Sequence, residues 1–350
     1  MTKFTKTSLK ASVRRVRKTL GKQMEKIILA ADLGGTNLRI AAVNRNGEIL
    51  NRQKTPTPTS GNRGDIIAAI LTAARECMET AAGEIEFVGF GAAVPATVNS
   101  QDGVILRSPN LPELSGMEFS AVFSEALEMP VVLENDANSA TVGERWKGAA
   151  QDVRNFIMVT LGTGVGGGIM INGELLRGPD GTAGEVGHIP VEPEGHPCGC
   201  GSNGCLEQYA SASAISRIAS ELIPVYPETE LHSDLEITPL DVYNAGLHGD
   251  ALSLEVFRRA GRYLGIALGG LVNVLNPEAI VIGGGAAAGW DLFIDSLRRE
   301  IDYRAFQQPA QRVRLRRSQL ADDAGLIGIT KLAREKFIGC SGSLKSKADV

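Results

Sequence analysis

The chain is predicted to be an α/β protein built as two similar halves facing one another across a cleft, and three observations carry that prediction. Short apolar runs alternate with segments of helical periodicity, and three of the runs end in glycine-rich turns. The pattern of strand, glycine turn, strand and hairpin in residues 33–50 (LGGTN…NGEIL) also returns in residues 161–176 (LGTGV…NGELL). Two copies of one unit place a small-molecule site between them. At 350 residues and 43% hydrophobic content, the chain is long enough for two packed cores.

Residues 27–34 form an apolar run ending in glycine, residues 38–43 form another, and Asn46-Gly47 turns the chain into Ile49-Leu50, which reads as an antiparallel meander. Residues 65–82 place Ile66, Ile67, Ile70, Leu71, Ala74 and Met78 on one helical face, and residues 86–94 follow as a buried strand. A strand from Val131 runs directly into Glu134, Asn135 and Asp136, with a helix beginning at Ala137. Residues 156–162 are again apolar. Residues 164–168 read as a glycine turn, residues 169–171 as a short strand, and Asn172-Gly173 as a second hairpin turn. Residues 252–275 are helical by periodicity, Asn276-Pro277 stops them, and residues 279–282 form a strand entering Gly283-Gly284-Gly285. A helix over 290–306, a strand over 313–315 and a closing helix over 323–337 complete the reading.

The expected division is a basic extension over 1–24, a smaller domain made of 25–134 with 320–338, a larger domain over 135–319 that carries a cysteine loop, and a flexible Ser/Gly/Lys-rich tail over 339–350. The first 23 residues hold eight Lys or Arg and no acid, which fits a solvated tail, a nucleic-acid arm or a targeting segment; the dispensable tail is the reading taken, with Met24 as an alternative start. That stretch lacks the apolar core of a secretory signal, and no apolar run reaches the roughly 18 to 20 residues that span a bilayer. A net charge of −4 offers no general attraction to nucleic acid. The expectation is a cytoplasmic protein with neither membrane nor nucleic acid as partner. Three of five cysteines fall within eight residues, which suits a metal site in a reducing compartment.

Glycines after a strand let backbone N–H groups approach phosphate oxygens with no Cβ in the way, although tight turns without a ligand use the same residues. None of the three turns is a G-x-x-x-x-G-K-[ST] loop, and no G-x-G-x-x-G follows the first strand, which argues against P-loop and Rossmann folds. Asp32, at a strand end, is either a turn residue or a ligand for Mg²⁺, while Thr36 and Thr163 add hydroxyls. Asp136 either caps the helix or takes a proton from a sugar hydroxyl, with Asn135 beside it. In residues 181–211, His188, Cys198, Cys200 and Cys205 form a one-imidazole, three-thiol set suited to a closed tetrahedral zinc site. His196 is a rival fourth ligand, and free cysteines are the alternative. Glu185, His188 and Glu207 flank this loop and offer the several hydrogen bonds a polyol needs. If one His188 nitrogen binds the metal, the other faces the substrate and couples the two sites.

Five segments, DLGGTN from Asp32, ENDAN from Glu134, LGTGVGGG from Leu161, GEVGH from Gly184 and CGCGSNGCLE from Cys198, together resemble the ROK family of bacterial glucokinases, N-acetylhexosamine kinases, fructokinases and sugar-responsive repressors. The likeness runs over residues 26–337. It implies an actin-like ATPase (ribonuclease H-like) fold of two domains, with ATP and a free hexose in the cleft. By resemblance, Asp136 is the catalytic base, and Asn110, Asn135, Glu185, His188 and Glu207 contact the hexose. Asp32, Gly34, Gly35, Thr36 and Asn37 resemble one phosphate loop, Thr163, Gly164, Val165, Gly166, Gly167 and Gly168 the other, and Gly283, Gly284 and Gly285 the nucleotide-side loop. His188, Cys198, Cys200 and Cys205 resemble the zinc ligands. The implied cofactors are Mg²⁺ with ATP and a structural Zn²⁺, and the implied assembly is a homodimer. Pro95-Ala96 stands where the family often has Pro-Gly.

The implied reaction is transfer of the γ-phosphoryl group of ATP to the 6-hydroxyl of glucose. N-acetylmannosamine, N-acetylglucosamine or fructose are alternative acceptors and polyphosphate an alternative donor; a sugar-sensing regulator without catalysis is the alternative of another class. The segment CLEQYAS is more similar to the glucokinases. About 25 residues before the first strand are too few for the helix-turn-helix domain of the repressors.

Overall fold

The run EKIILAADL becomes a central strand because it is buried on both faces: Ile27, Ile28, Leu29 and Ala30 are inaccessible to solvent. The structure is a computed structural model that describes residues 24–232 and 236–339. The basic stretch 1–23 and the tail from 340 onward lie outside the described residues.

In the first half, β1 (Glu25–Leu33), β2 (Asn37–Val43), β3 (Ile49–Pro56), β4 (Ile85–Val94) and β7 (Val131–Asn135) form one sheet in the order β3-β2-β1-β4-β7. Strands β1, β4 and β7 are parallel, and β2 and β3 are the antiparallel meander. A hairpin of β5 (Thr97–Asn99) and β6 (Val104–Arg107) stands apart. In the second half, β8 (Phe156–Leu161), β9 (Val165–Ile171), β10 (Glu174–Leu175), β11 (Ala279–Gly283) and β12 (Arg314–Arg317) run in the order β10-β9-β8-β11-β12. Rank for rank this is the same order, with β8, β11 and β12 parallel. The internal repeat of the sequence is therefore a repeat of topology.

Helices α1 (Arg63–Thr80) and α2 (Phe119–Leu127) pack on the first sheet, with Phe119 and Phe123 of α2 in one core with Phe90 of β4. Helix α3 (Asp136–Lys147) follows β7 but contributes Ala140 and Val142 to a core with Phe156, Met158 and Met170 of the second sheet. Beyond it come α4 (Glu207–Ala210), α5 (Ala212–Leu222), α6 (Pro239–Leu247), α7 (Ala251–Leu275), α8 (Trp290–Arg304) and α9 (Gln307–Arg312). Of these, α5, α6, α7 and α8 enclose the largest core, around Leu252, Val256, Phe257, Leu264 and Leu297. The closing helix α10 (Ala324–Phe337) returns to the first sheet and packs Leu326 and Ile329 beneath it.

Helices α3 and α10 lie between the sheets and touch backbone to backbone. A Cβ on Gly328 would overlap the carbonyl of Ser139, and one on Gly143 would overlap the carbonyl of Ala324. Where the chain crosses from β12 to α10, the fully buried Glu144 carboxylate accepts from the hydroxyl of Ser318 and the N–H groups of Leu320 (2.9 Å) and Ala149 (2.6 Å). With the N–H of Gln319 at 3.3 Å, four neutral donors converge on one acidic side chain and satisfy its burial.

Three sequence readings are corrected. Residues 165–168, expected as a turn, belong to β9 and pair with β8, because their missing side chains let α3 and the segment at 184–187 press on the strand; only residues 162–164 turn. The helix expected over 290–306 stops at Arg304 and a separate short helix follows. The strand expected over 313–315 is Arg314–Arg317, paired with β11.

Candidate active site and thiol cluster

The parallel strands of both sheets end on the same cleft, as polar sites at the carboxyl edges of α/β sheets require. Asp32 closes β1 opposite Ala93, Val94 of β4 lies opposite Asn135 of β7, and Asp136 opens α3. Asn135 caps that helix: its Oδ1 accepts from the N–H of Asn138 at 2.9 Å, while its Nδ2 reaches Asp136 at 3.1 Å and the carbonyl of Ala96 at 3.3 Å. The cap role and an open carboxylate therefore fall on different residues. Asp136 spends one oxygen on the N–H of Ala137 and on Asn135.

Burial, and then the charge of nearby Asp32, push Asp136 from 3.8 up to about 7. Asp32 is itself pushed up to about 6 by burial, opposed by Arg39, whose guanidinium lies 3.2 Å from Asp32 and 2.7 Å from Asp322. Each of the two carboxyls therefore holds its proton more tightly than a carboxyl in water. A pocket beside Asp136 is walled by Ala96, Thr97 and Asn135 of the first half and by Gly166, Gly181 and Glu185 of the second. Ala96, at the position where Pro-Gly was the expected pattern, is 4% exposed, and its N–H donates to Val94.

Glu185 stands at the rim, its carboxyl held above the usual range by desolvation, with His188 opposing the shift and Glu207 adding to it. Glu207, at the start of α4, sits on the second glycine turn and accepts from the N–H of Val165 at 3.0 Å; a side chain on Gly164 would displace it. At the first turn, Thr57 Oγ1 donates to the carbonyl of Gly34 at 2.7 Å, and Asn110 is the side chain facing Gly35. Thr163 is exposed, its carbonyl accepting from Ser213. Gly283 ends β11 packed against Ser318, Gly284 takes a positive φ of 86° over the backbone of Leu161, and Gly285 is open.

The thiol cluster is set by a short loop: the N–H of Cys198 donates to the carbonyl of Ser202 (2.8 Å), and that of Leu206 to Ile189 (2.9 Å). His188 Nδ1 lies 3.6 Å from Cys198 Sγ, and Cys200 Sγ lies 3.6 Å from Cys205 Sγ. All four donor atoms are within 4.8 Å of one another. His188 and not His196 stands with the three thiols; the His196 ring turns to Arg217 at 2.9 Å. Burial pushes the Cys205 thiol up to about 12, whereas the backbone N–H of Ser202 holds the Cys200 thiol below its ordinary value.

Three polar residues of this neighbourhood escaped the sequence reading: Arg39, Arg177 and Asn138. Arg177 Nε holds the buried Glu134 at 2.8 Å, tying the chain after β10 to the end of β7. Asn138 had a signal in the sequence, since it stands three positions after Asn135, in the first turn of the helix that Asn135 caps.

The fold class follows from comparison with solved proteins. A ROK family glucokinase from Streptomyces griseus, solved in complex with glucose and AMPPNP, matches with a TM-score of 0.78 at 32% identity, covering 88% of this chain and 99% of that one. The architecture is the actin-like ATPase fold of ROK sugar kinases, two α/β domains about a cleft. The ROK family profile matches residues 28–336, and the chain belongs to the ROK family. A glucokinase of Halalkalibacterium halodurans is 37% identical over 310 residues, 86% of this chain and 92% of that one. A ROK family transcriptional regulator, homologous to the E. coli MLC protein, matches with a TM-score of 0.82 at 29% identity over 90% of this chain and 79% of that one. Among the described residues no helix is long and apolar enough to cross a membrane.

Proposed function

We propose that this protein is an ATP-dependent hexokinase that phosphorylates the 6-hydroxyl of glucose, with Asp136 as general base. The observation that carries the reading is the placement of Asp136: a carboxyl pushed to about 7, between Asn135 and Ala137, both of which line a pocket walled by the two halves. A base with that affinity for protons is poised for transfer at neutral pH. In the proposed step the sugar oxygen forms a bond to the γ-phosphorus, the bond from that phosphorus to the β–γ bridging oxygen breaks, the hydroxyl proton passes to Asp136, and ADP leaves. The transition state of such a transfer is loose, so positioning and charge stabilisation carry most of the rate.

Asn135, Glu185, His188 and Glu207, with Asn110, are proposed to hold the sugar hydroxyls. The turns at Gly34-Gly35-Thr36 and Gly162-Thr163-Gly164 are proposed to bring backbone N–H groups to the triphosphate, and Gly284-Gly285 to border the nucleoside. Gly166, Gly167 and Gly168 serve by thinning β9 beneath the pocket. Asp32 and Asp136 offer the oxygen donors that Mg²⁺ prefers, and Mg²⁺ bound with ATP would neutralise phosphate charge. His188, Cys198, Cys200 and Cys205 are proposed to hold Zn²⁺, which the S₃N donor set fits; the ion would tie the loop in place without entering the chemistry. With Nδ1 turned to the thiols, Nε2 of His188 remains for the substrate. A cytoplasmic homodimer completes the proposal.

The second reading, a sugar sensor without catalysis, is favoured by the fit to the regulator. One experiment separates the two: ADP release with Mg²⁺ and ATP over glucose, mannose, fructose, N-acetylglucosamine and N-acetylmannosamine, beside Asp136→Asn. Glucose-preferring turnover that the variant lacks supports the proposal. Turnover on an acetylated sugar replaces the substrate, and hexose binding with no turnover replaces the function.

A further inference from the structure

Asn138 is 2% exposed, yet its Oδ1 has no hydrogen-bond partner among the described residues. A buried amide oxygen left without a partner is costly, and an apolar residue of similar volume would avoid that cost. The same side chain lines the pocket that holds Asn135, Gly166 and Glu185. Its orientation is not free. Asn138 Nδ2 donates to Glu134 Oε1 at 3.2 Å, and a carboxylate oxygen only accepts, so turning the amide over would set oxygen against oxygen. Glu134 is held in turn by Arg177 at 2.8 Å and by the N–H of Asn135 at 3.1 Å. The backbone of Asn138 is fixed as well, its N–H donating to Asn135.

Resting on the hexokinase reading above, we propose that Asn138 is a further specificity-determining residue, whose Oδ1 accepts a hydrogen bond from a hexose hydroxyl other than the one phosphorylated, and that Glu134 with Arg177 is the positioning pair that keeps this oxygen toward the pocket. The pair also joins the two halves, since Glu134 belongs to β7 and Arg177 follows β10.

The test measures kcat/KM for glucose, for its 2-, 3- and 4-deoxy analogues and for 1,5-anhydroglucitol, with wild type, Asn138→Ala and Glu134→Gln. Asn138→Ala is expected to lower kcat/KM for glucose about ten-fold, the worth of one hydrogen bond to a neutral group, with KM for ATP unchanged. One analogue, the one lacking the partner hydroxyl, is expected to lose nothing further in the variant, while the others fall as glucose does. A uniform loss across the series, or none, overturns the assignment of Asn138. Glu134→Gln both donates and accepts, so it keeps the packing and lets the Asn138 amide turn over. A selective fall in sugar kcat/KM with an unchanged ATP KM is expected, and wild-type behaviour overturns the positioning role; this variant decides the matter if Asn138→Ala does not fold. Wild type that neither binds nor phosphorylates glucose overturns the hexokinase reading and this inference together, whereas an active wild type with a flat analogue series overturns this inference alone.

Discussion

At the β1–β2 turn of the first half, a Cβ added to Gly35 would meet only the side chain of Asn110, at 3.9 Å, whereas in the second half a Cβ on Gly166 would press on Ala137 at 3.0 Å and one on Gly168 would overlap the hydroxyl of Thr141. The first lies in the turn between β1 and β2, the second in β9 just after the turn that follows β8, at the matching rank of the same sheet order. In one the missing side chain leaves open space beside Asp32. In the other it is space already filled by helix α3, whose first residue is Asp136. Glycine thus leaves space open in the first turn and makes room for a neighbouring helix in strand β9, and the helix so admitted brings the proposed base to the cleft.

That contrast can be broken most sharply at Asp136 itself. Asp136→Asn should lower turnover by on the order of 10² to 10⁴, the usual worth of a general base, while leaving the fold intact. It should also change stability in a pH-dependent way. A carboxyl raised in the folded state from 3.8 to about 7 keeps a proton that the unfolded chain has lost, so its contribution is present below about 4 and declines as pH rises through about 7. Thermal melts at pH 5 and pH 8 should therefore differ less in the variant, with the variant the more stable of the two proteins at pH 8. An equal dependence in both would mean that Asp136 is not desolvated.

Next in size is Gly168→Ala, which should cost about 1 to 3 kcal/mol by overpacking against Thr141, read as a lower denaturation midpoint. Gly35→Ala supplies the matching control: its stability should stay within about 0.5 kcal/mol of wild type, and its effect should fall on ATP, as a KM raised several-fold. If the two alanines destabilise alike, the distinction between an open turn and a filled strand fails. The smallest effect expected is electrostatic. With Asp136 acting as a base, kcat/KM rises with pH to a midpoint near 7, and removing the adjacent negative charge in Asp32→Asn should shift the midpoint of the residual rate downward. An unmoved midpoint would separate the two carboxylates.

Much of this arrangement is written locally. Apolar runs such as IILAADL, the turns at Asn46-Gly47 and Asn172-Gly173, and the stop at Asn276-Pro277 are decided by a few neighbouring residues, and they mark strands and helices close to where they occur. The repeat that disclosed two like halves, and the grouping of three thiols with an imidazole, are likewise properties of spacing. Helices α2 and α6, nine residues each, are too short to show a firm period, whereas the apolar face of α5, Ala214, Ile215, Ile218, Ala219 and Leu222, was legible in the spacing and went unread.

The sequence by itself therefore determined the α/β class, the doubling of the unit and the cast of polar residues at strand ends, since backbone preference and periodicity act over a few positions. Only the tertiary structure decided that residues 165–168 are strand, that His188 and not His196 joins the thiols, that Asp32 raises the proton affinity of Asp136, and that Arg177 holds Glu134 across 43 positions. Those outcomes depend on desolvation and on contacts between distant segments, and neither exists until the two halves close on one another.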